Sequence, residues 1–221
     1  MTTTTKPKHP ARYSDALLPL FDARLEDGWR VLDPFAGTGR IHELRPRVET
    51  YGVEIEPEWS ALSPFTLCGD ATALPFPDAS FDAIVTSPTY GNRFADSHTA
   101  RDGSTRRSYT HDLRAATGDP SRRLHERNTG AMRFGEAYCA LHEEAWREAC
   151  RVLRPGGRFV LNVKDHVARG KRVRVSAWHA ITLRKTGLVE HDRIEVPLRG
   201  MGFGANGSAR IPYEYVIEFV K

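Results

Sequence analysis

Long apolar runs are missing from this 221-residue chain, and none approaches the ~20 residues that a membrane-spanning helix needs. The opening Met1-Thr2-Thr3-Thr4-Thr5-Lys6-Pro7 has no apolar core of a leader peptide. Neither a secretory leader nor a membrane partner is expected, and residues 1–9 read as a flexible tail. Cysteine is scarce. Cys68, Cys139 and Cys150 are odd in number and never form a C-x-x-C pair, which points to reduced thiols in a cytoplasmic protein and to no zinc or other metal. Two phosphate-binding signatures are also missing. Arg40-Ile41-His42 follows Gly39 where a G-x-G-x-x-G would continue, and no Lys-Ser or Lys-Thr completes a P-loop. These gaps argue against the usual dinucleotide-binding and nucleoside-triphosphate-binding proteins.

What is present suits one α/β domain over residues 10–221. The chain is 40% hydrophobic and 27% charged, enough for a full core. Its formal net charge is +4, with arginine far outnumbering lysine. That excess fits a polyanionic partner, and it equally fits a base composition that favours arginine codons. No internal repeat is visible.

The chain is organised around Val31-Leu32-Asp33-Pro34-Phe35-Ala36-Gly37-Thr38-Gly39. Residues 29–32 read as a buried parallel strand that ends at an acidic tip. Gly37 and Gly39 permit φ > 0, and a short helix is expected over 38–44, stopped before Pro46. A ligand would then lie against the main chain at a helix N-terminus, in the crevice beyond the strand's carboxyl end. Asp33 would repel a pyrophosphate and attract an ammonium, so a ligand with an amino-acid end and a nucleoside end fits. A second strand over 48–55 carries Gly52-Val53-Glu54-Ile55-Glu56. Glu54 lies 21 residues after Asp33, the separation expected of an acidic residue that accepts both ribose hydroxyls. Glu56 is the competing carboxylate. A third strand over 65–68 ends at Gly69-Asp70-Ala71, and a fourth over 83–86 ends in Ser87-Pro88-Thr89-Tyr90.

That last loop suggests a chemistry. An aromatic amine is a poor nucleophile because its lone pair is delocalised into the ring. Two acceptors on its N–H groups favour a tetrahedral nitrogen with a directed lone pair, and the Ser87 hydroxyl and Pro88 carbonyl can supply them. Pro88 stiffens the turn and keeps Ser87 extended. Tyr90 offers a π-face for a base taken out of its helix.

With D-P-F-x-G-x-G at 33–39 and S-P-x-Y at 87–90, in that order, the chain resembles the class I S-adenosylmethionine-dependent methyltransferases, in particular the DNA amino-methyltransferases. The resemblance implies a Rossmann-like α/β fold: a seven-stranded mixed sheet with an antiparallel last strand and helices on both faces. It implies S-adenosyl-L-methionine as cofactor, held by Asp33, Pro34, Phe35, Ala36, Gly37 and Gly39 in the turn. Glu54 takes the ribose, Ile55 stacks on adenine, and Asp70 and Ala71 serve the adenine edge. Tyr13 precedes a segment over 14–21, with Ser14 as its N-cap, that is similar to the helix holding the methionine part in that family. Ser87, Pro88, Thr89 and Tyr90 form the catalytic set. Serine in the first place is typical of enzymes making N4-methylcytosine, whereas Asp or Asn is typical of those making N6-methyladenine. Thr89 departs from the family's S-P-P-Y, which loosens the turn.

Residues 91–135 read as an Arg-rich insertion after the fourth strand, a flap without clear periodicity. Between 93 and 133 it holds nine arginines against five carboxylates. Arg93, Arg101, Arg106, Arg107, Arg122 and Arg123 are candidate contacts to nucleic-acid phosphates; a solvated insertion with a chance arginine excess is the plain alternative. A helix over 136–153, stopped by Arg154-Pro155-Gly156-Gly157, leads to a fifth strand over 158–163 and the cluster Lys164-Asp165-His166. A helix over 173–186 follows. Strands over 188–196 and 213–220 close the chain around a Gly-rich loop at 200–207. The function expected is methyl transfer to an exocyclic amino group of a DNA base, cytosine N4 ahead of adenine N6. The alternatives are an RNA base amine such as guanine N2, a protein glutamine, and a nucleic-acid-binding module without turnover.

Overall fold

The computed structural model describes residues 13–92, 98–99, 105–106, 108–198 and 211–221. Seven strands form the sheet: β1 (Arg30–Asp33), β2 (Glu49–Glu54), β3 (Thr66–Cys68), β4 (Phe81–Thr86), β7 (Leu153–Val163), β10 (Val189–Pro197) and β11 (Tyr213–Val220). Their spatial order is β10-β11-β7-β4-β1-β2-β3. β1 pairs in parallel with β2 and β4, β2 with β3, and β4 with β7. β11 runs antiparallel to both β7 and β10. This is the mixed seven-stranded sheet that the resemblance implied. The strand order reverses between β1 and β4, so the crevice beyond the ends of these two strands is the place where an open α/β sheet takes its ligand.

Alternation along the strands divides the core in two. Successive side chains point to opposite faces. Leu32, Ile84, Phe159, Leu161, Ile217 and Phe219 turn to one face. There they meet Ala145, Trp146 and Ala149 of α4 (Glu136–Val152) and Ala180 and Leu183 of α5 (Val175–Lys185). Val31, Ala83, Val85, Val160 and Val216 turn to the other, where Leu17 and Phe21 of α1 (Leu17–Asp22) pack.

Several local expectations give way. The helix foreseen over 38–44 is a short 3-10 turn, Arg40–Leu44, after Gly37 and Gly39 at φ of 55° and 76°. Two glycines followed by a turn that closes at Arg45-Pro46 leave too little chain for an α-helix here. Ser14 does not cap α1 with its side chain: the N-cap is Ala16, and the Ser14 carbonyl takes the Leu17 N–H at 3.0 Å. The glycines after α4 do not stop it either. The helix ends at Leu153 in extended backbone and passes straight into β7, with Gly156 and Gly157 bonded to Lys221.

The described part of the insertion holds secondary structure. It contains the hairpin β5 (His98–Thr99) and β6 (Thr105–Arg106), then α3 (Tyr109–Thr117), capped by the Ser108 hydroxyl. Tyr109 and Leu113, one helical turn apart, pack on Trp59 of α2 (Pro57–Ser60) and bury that face. A second hairpin, β8 (His166–Ala168) with β9 (Lys171–Val173), follows β7. The 1–9 tail and the 200–207 loop lie outside the described residues. Among the described residues, no helix is long and apolar enough to cross a membrane.

Candidate active site

One cleft of about 1510 Å³ opens beyond the carboxyl ends of β1, β2, β3 and β4. It brings together Tyr13, Pro34, Phe35, Ala36, Gly37, Glu54, Ile55, Asp70, Ala71 and the whole of Ser87, Pro88, Thr89 and Tyr90. Gly39 stands behind the wall, and so does the Asp33 side chain. The turn after β1 lies directly on β2: the Ala36 N–H donates to the Val53 carbonyl at 2.9 Å. Only glycine allows that approach at position 52, where a Cβ would stand 2.7 Å from the Ala36 methyl.

Asp33 holds the floor. It is fully buried. Its Oδ1 accepts from the Phe35 N–H at 3.0 Å and the Thr86 hydroxyl at 2.8 Å, and its Oδ2 accepts from the Tyr13 hydroxyl. Burial pushes this carboxyl up to about 6 despite those three donors. Its contribution is therefore to fix the turn and seat Tyr13, with the ammonium contact foreseen from its side chain already replaced by protein donors.

Glu54 faces the cleft. Its two oxygens accept the Gly37 and Glu56 N–H groups, each at 2.9 Å, and each keeps a lone pair for a further donor. Burial pushes its carboxyl up to about 7. Glu56 turns away from the cleft. It is fully buried under the insertion, bonded to Arg122 at 3.0 Å and to the His125 N–H and Asn128 Nδ2 at 2.8 Å.

Asp70 lines the cleft with both oxygens engaged. Thr72 donates its N–H and hydroxyl at 2.9 and 2.8 Å, and Arg127 donates Nε at 2.7 Å. Partial burial pushes this carboxyl up, but those donors outweigh it and hold it low. An adenine amino group at this place would share or displace the Arg127 contact. Arg127 also reaches Glu144 at 3.3 Å, and Arg122 spans Glu56 and Glu58. Arg122, foreseen as a phosphate contact, thus spends its charge on the domain itself. Arg123 is exposed. Arg93, Arg101 and Arg107, and the side chain of Arg106, lie outside the described residues.

The loop after β4 is tethered on every side. The Ser87 hydroxyl donates to Asn162 Oδ1 at 2.8 Å. The Asn162 amide is oriented by its other end, since Nδ2 donates to the Tyr215 carbonyl at 3.1 Å. Asn162 Oδ1 is therefore the acceptor, the single Ser87 proton is used, and the Ser87 oxygen is left as an acceptor. The Tyr90 hydroxyl stands 3.0 Å from that oxygen and 3.2 Å from Asn162 Oδ1. Burial holds the Tyr90 phenol protonated.

Thr89 is the residue that breaks the S-P-P-Y pattern, and the structure compensates for it. Its hydroxyl pairs with Thr129 at 2.7 Å, and its carbonyl accepts from the Tyr138 hydroxyl at 2.5 Å. Behind Tyr138 stands His179, whose Nε2 is 2.8 Å from the Tyr138 oxygen. Trp146 Nε1–H donates to His179 Nδ1 at 3.0 Å, so the histidine carries its proton on Nε2 and passes a hydrogen bond to Tyr138. Burial keeps this histidine neutral. Asn162, Tyr138 and His179 escaped the sequence reading. Asn162 alone left a signal there: it is one polar residue inside the apolar run Phe159-Val160-Leu161-Asn162-Val163.

No family model matches the chain, and no curated protein matches it. Solved structures do share the fold. A SAM-dependent methyltransferase from Methanosarcina mazei is 15% identical, with 92% of this chain and 97% of that one covered at a TM-score of 0.58. The YcgJ protein from Bacillus subtilis is 18% identical, covering 94% and 99% at 0.56. A 1,6-didemethyltoxoflavin-N1-methyltransferase from Burkholderia thailandensis, with bound 1,6-didemethyltoxoflavin and S-adenosylhomocysteine, is 17% identical, covering 94% and 77% at 0.52. The architecture is thus the Rossmann-like methyltransferase fold.

Proposed function

We propose that this protein is an S-adenosylmethionine-dependent methyltransferase that acts on an exocyclic amino group of a nucleic-acid base. The observation that carries the reading is the polarity of Ser87. Asn162 takes its proton, so its oxygen accepts. Beside it Pro88 lines the cleft wall, and its carbonyl is the second acceptor of this reading. Two acceptors held on a rigid turn suit the two N–H groups of an amine, and alignment of this kind supplies most of the rate in a reaction whose methyl donor is already activated.

The rest of the cleft suits the cofactor. Glu54 keeps two free lone pairs for ribose hydroxyls, and Phe35 and Ile55 give apolar walls for a nucleobase. Ala71 offers its backbone beside Asp70. When bound, the cofactor supplies an electrophilic methyl group on sulfur. Tyr90 lines the substrate side and offers its ring to a planar base. Serine in the first loop position favours cytosine N4 over adenine N6 through the resemblance, and the basic insertion favours a polyanionic nucleic acid, with an RNA base amine as the alternative to DNA.

A second reading is methylation of a free heterocyclic amine. It gains from the pairing of Arg122 and Arg127 with carboxylates of the domain, which removes two cations from any nucleic-acid contact. Mass spectrometry of nucleosides from the DNA and RNA of cells expressing the protein, beside a Ser87→Ala, Tyr90→Ala control, decides between them. We expect N4-methylcytosine in DNA, absent in the control. Unchanged nucleosides in both pools would overturn the nucleic-acid reading and leave the free heterocycle.

A further inference from the structure

The amine substrate of the reading above must lose a proton, and none of its two loop acceptors can keep one. The Ser87 oxygen and the Pro88 carbonyl accept hydrogen bonds but are far too weakly basic to hold a proton. The cleft offers several carboxylates. Glu54 and Asp70 belong to the cofactor side. Asp165 is tied to Arg172 at 2.8 Å and to the Ser176 N–H at 2.8 Å.

Glu214 differs from all of these. It sits near the start of β11, 6% exposed, in the wall of the cleft beside Asn162 and Lys164. Its carboxylate takes a hydrogen bond from the Asn162 side chain, and its Oε1 is buried with no hydrogen-bond partner among the described residues. Asn162 therefore bridges it to the loop, with the amide nitrogen on Glu214 and the amide oxygen 2.8 Å from Ser87. A buried carboxylate oxygen without a donor is a costly arrangement that substrate can relieve.

We propose that Glu214 is the catalytic base, the group that receives the proton released by the substrate amine. The inference rests on the amino-methyltransferase reading. As the amine nitrogen forms its bond to the methyl carbon, the pair of the carbon–sulfur bond stays on sulfur, which leaves as a neutral thioether. The nitrogen now carries one proton too many. The pair of that N–H bond returns to nitrogen, and the proton passes to Glu214 Oε1 and then to water. The base stands in a suitable field. Lys164, at the end of β7, is the cation that acts on it, and Tyr90 is the titratable group facing it from the loop. β10 pairs with it through apolar Val196. Burial pushes the carboxyl up, towards the range where a base works best near neutral pH.

The test compares wild type with Glu214→Gln, which keeps the shape and the Asn162 contact. Three readouts are taken: methyl transfer from labelled cofactor to duplex DNA and to structured RNA across pH, S-adenosylhomocysteine binding by calorimetry, and the carboxyl carbon resonances of 13C-glutamate-labelled protein. We expect transfer to fall about 100-fold in the variant with S-adenosylhomocysteine affinity unchanged. At saturating cofactor, where the titration of Glu54 no longer limits binding, the wild-type rate should fall on the acid side as the base takes its proton, and the variant should lack that limb. One glutamate resonance, missing in the variant, should titrate above the ordinary carboxylate range in the S-adenosylhomocysteine complex. Equal rates with the same acid limb, or a Glu214 resonance that titrates in the ordinary range, would overturn the role while leaving the amino-methyltransferase reading in place. A wild-type protein that methylates neither polymer would overturn that reading and the role with it.

Discussion

At the scale of single residues, the site separates side chains that meet ligand from side chains that hold them. In the proposed function Glu54 is of the first kind. Its carboxyl is pushed up to about 7 by burial, against the backbone N–H groups of Glu56 and Gly37. Below that value it takes a proton and loses acceptor capacity for ribose hydroxyls. S-adenosylhomocysteine affinity should therefore rise from pH 6 to pH 8 and level off. The slope is at most about tenfold per pH unit. Glu54→Gln should bind weakly with no such slope, and calorimetry at the two pH values checks both. The place of Glu54 in the cleft was legible because it ends the strand that follows Asp33 along the chain. Asn162, Tyr138 and His179 were not, because each acts through a partner more than 40 positions away, and only the fold brings those partners together. Asp33 was legible as a member of the turn. That its carboxylate would be consumed by Tyr13 and Thr86 was not, since those partners arrive from two other segments.

At the scale of elements, the departure at Thr89 is offset by neighbours. The second proline of the family pattern would stiffen the loop covalently. Here Thr129 and Tyr138 hold the same residue by hydrogen bonds. Tyr138→Phe leaves the Thr89 carbonyl without its buried donor. The change should cost about 1–3 kcal/mol of stability in urea unfolding. Methyl transfer should drop by more than S-adenosylhomocysteine affinity does. A variant with unchanged transfer would remove Tyr138 from the site. The strands and the long helices were readable from their apolar periodicity, most to within a residue or two. Those elements that were not readable are governed by tertiary contact. α3 buries only two apolar residues, Tyr109 and Leu113, amid charged neighbours, so the pattern is visible only once Trp59 stands opposite. The turn at 40–44 looked helical because the chain after it, at Pro46, sets the limit and not the apolar pattern itself.

At the scale of the whole molecule, buried ionisable groups of opposite sense share one pH window. Burial pulls His42 and His142 down to about 4, and the unfolded chain protonates them at about 6.5. Between those values the unfolded state binds protons that the fold refuses, so stability falls as pH falls. Asp33 and Glu54 are raised to about 6 and about 7, above their unfolded values. Their contribution is full at low pH and lost as pH rises through 6 and 7. His179, also held neutral by burial, adds to the histidine slope, and the acids offset part of that slope between pH 7 and pH 5. His142 is fully buried with Nδ1 on the Tyr138 carbonyl at 2.9 Å and Nε2 unpartnered. His142→Leu should therefore gain about 2 kcal/mol relative to wild type on going from pH 7 to pH 5. Urea unfolding at both values measures it. An equal gap at the two pH values would show that His142 is not the source.

The direct passage of α4 into β7 has a consequence for how the molecule comes together. Tyr138 stands in the first turn of the helix and Asn162 near the last residue of the strand, yet both reach the same loop, at Thr89 and at Ser87. One unbroken stretch of chain runs out from the loop as helix and returns to it as strand, with no slack at the bend. Once that stretch has docked, both sides of the loop are gripped at once. Both jaws belong to one continuous stretch, so a single docking of that stretch onto the loop sets them together. The turn after β4 is thus assembled as one event, like a clasp shutting, rather than adjusted contact by contact.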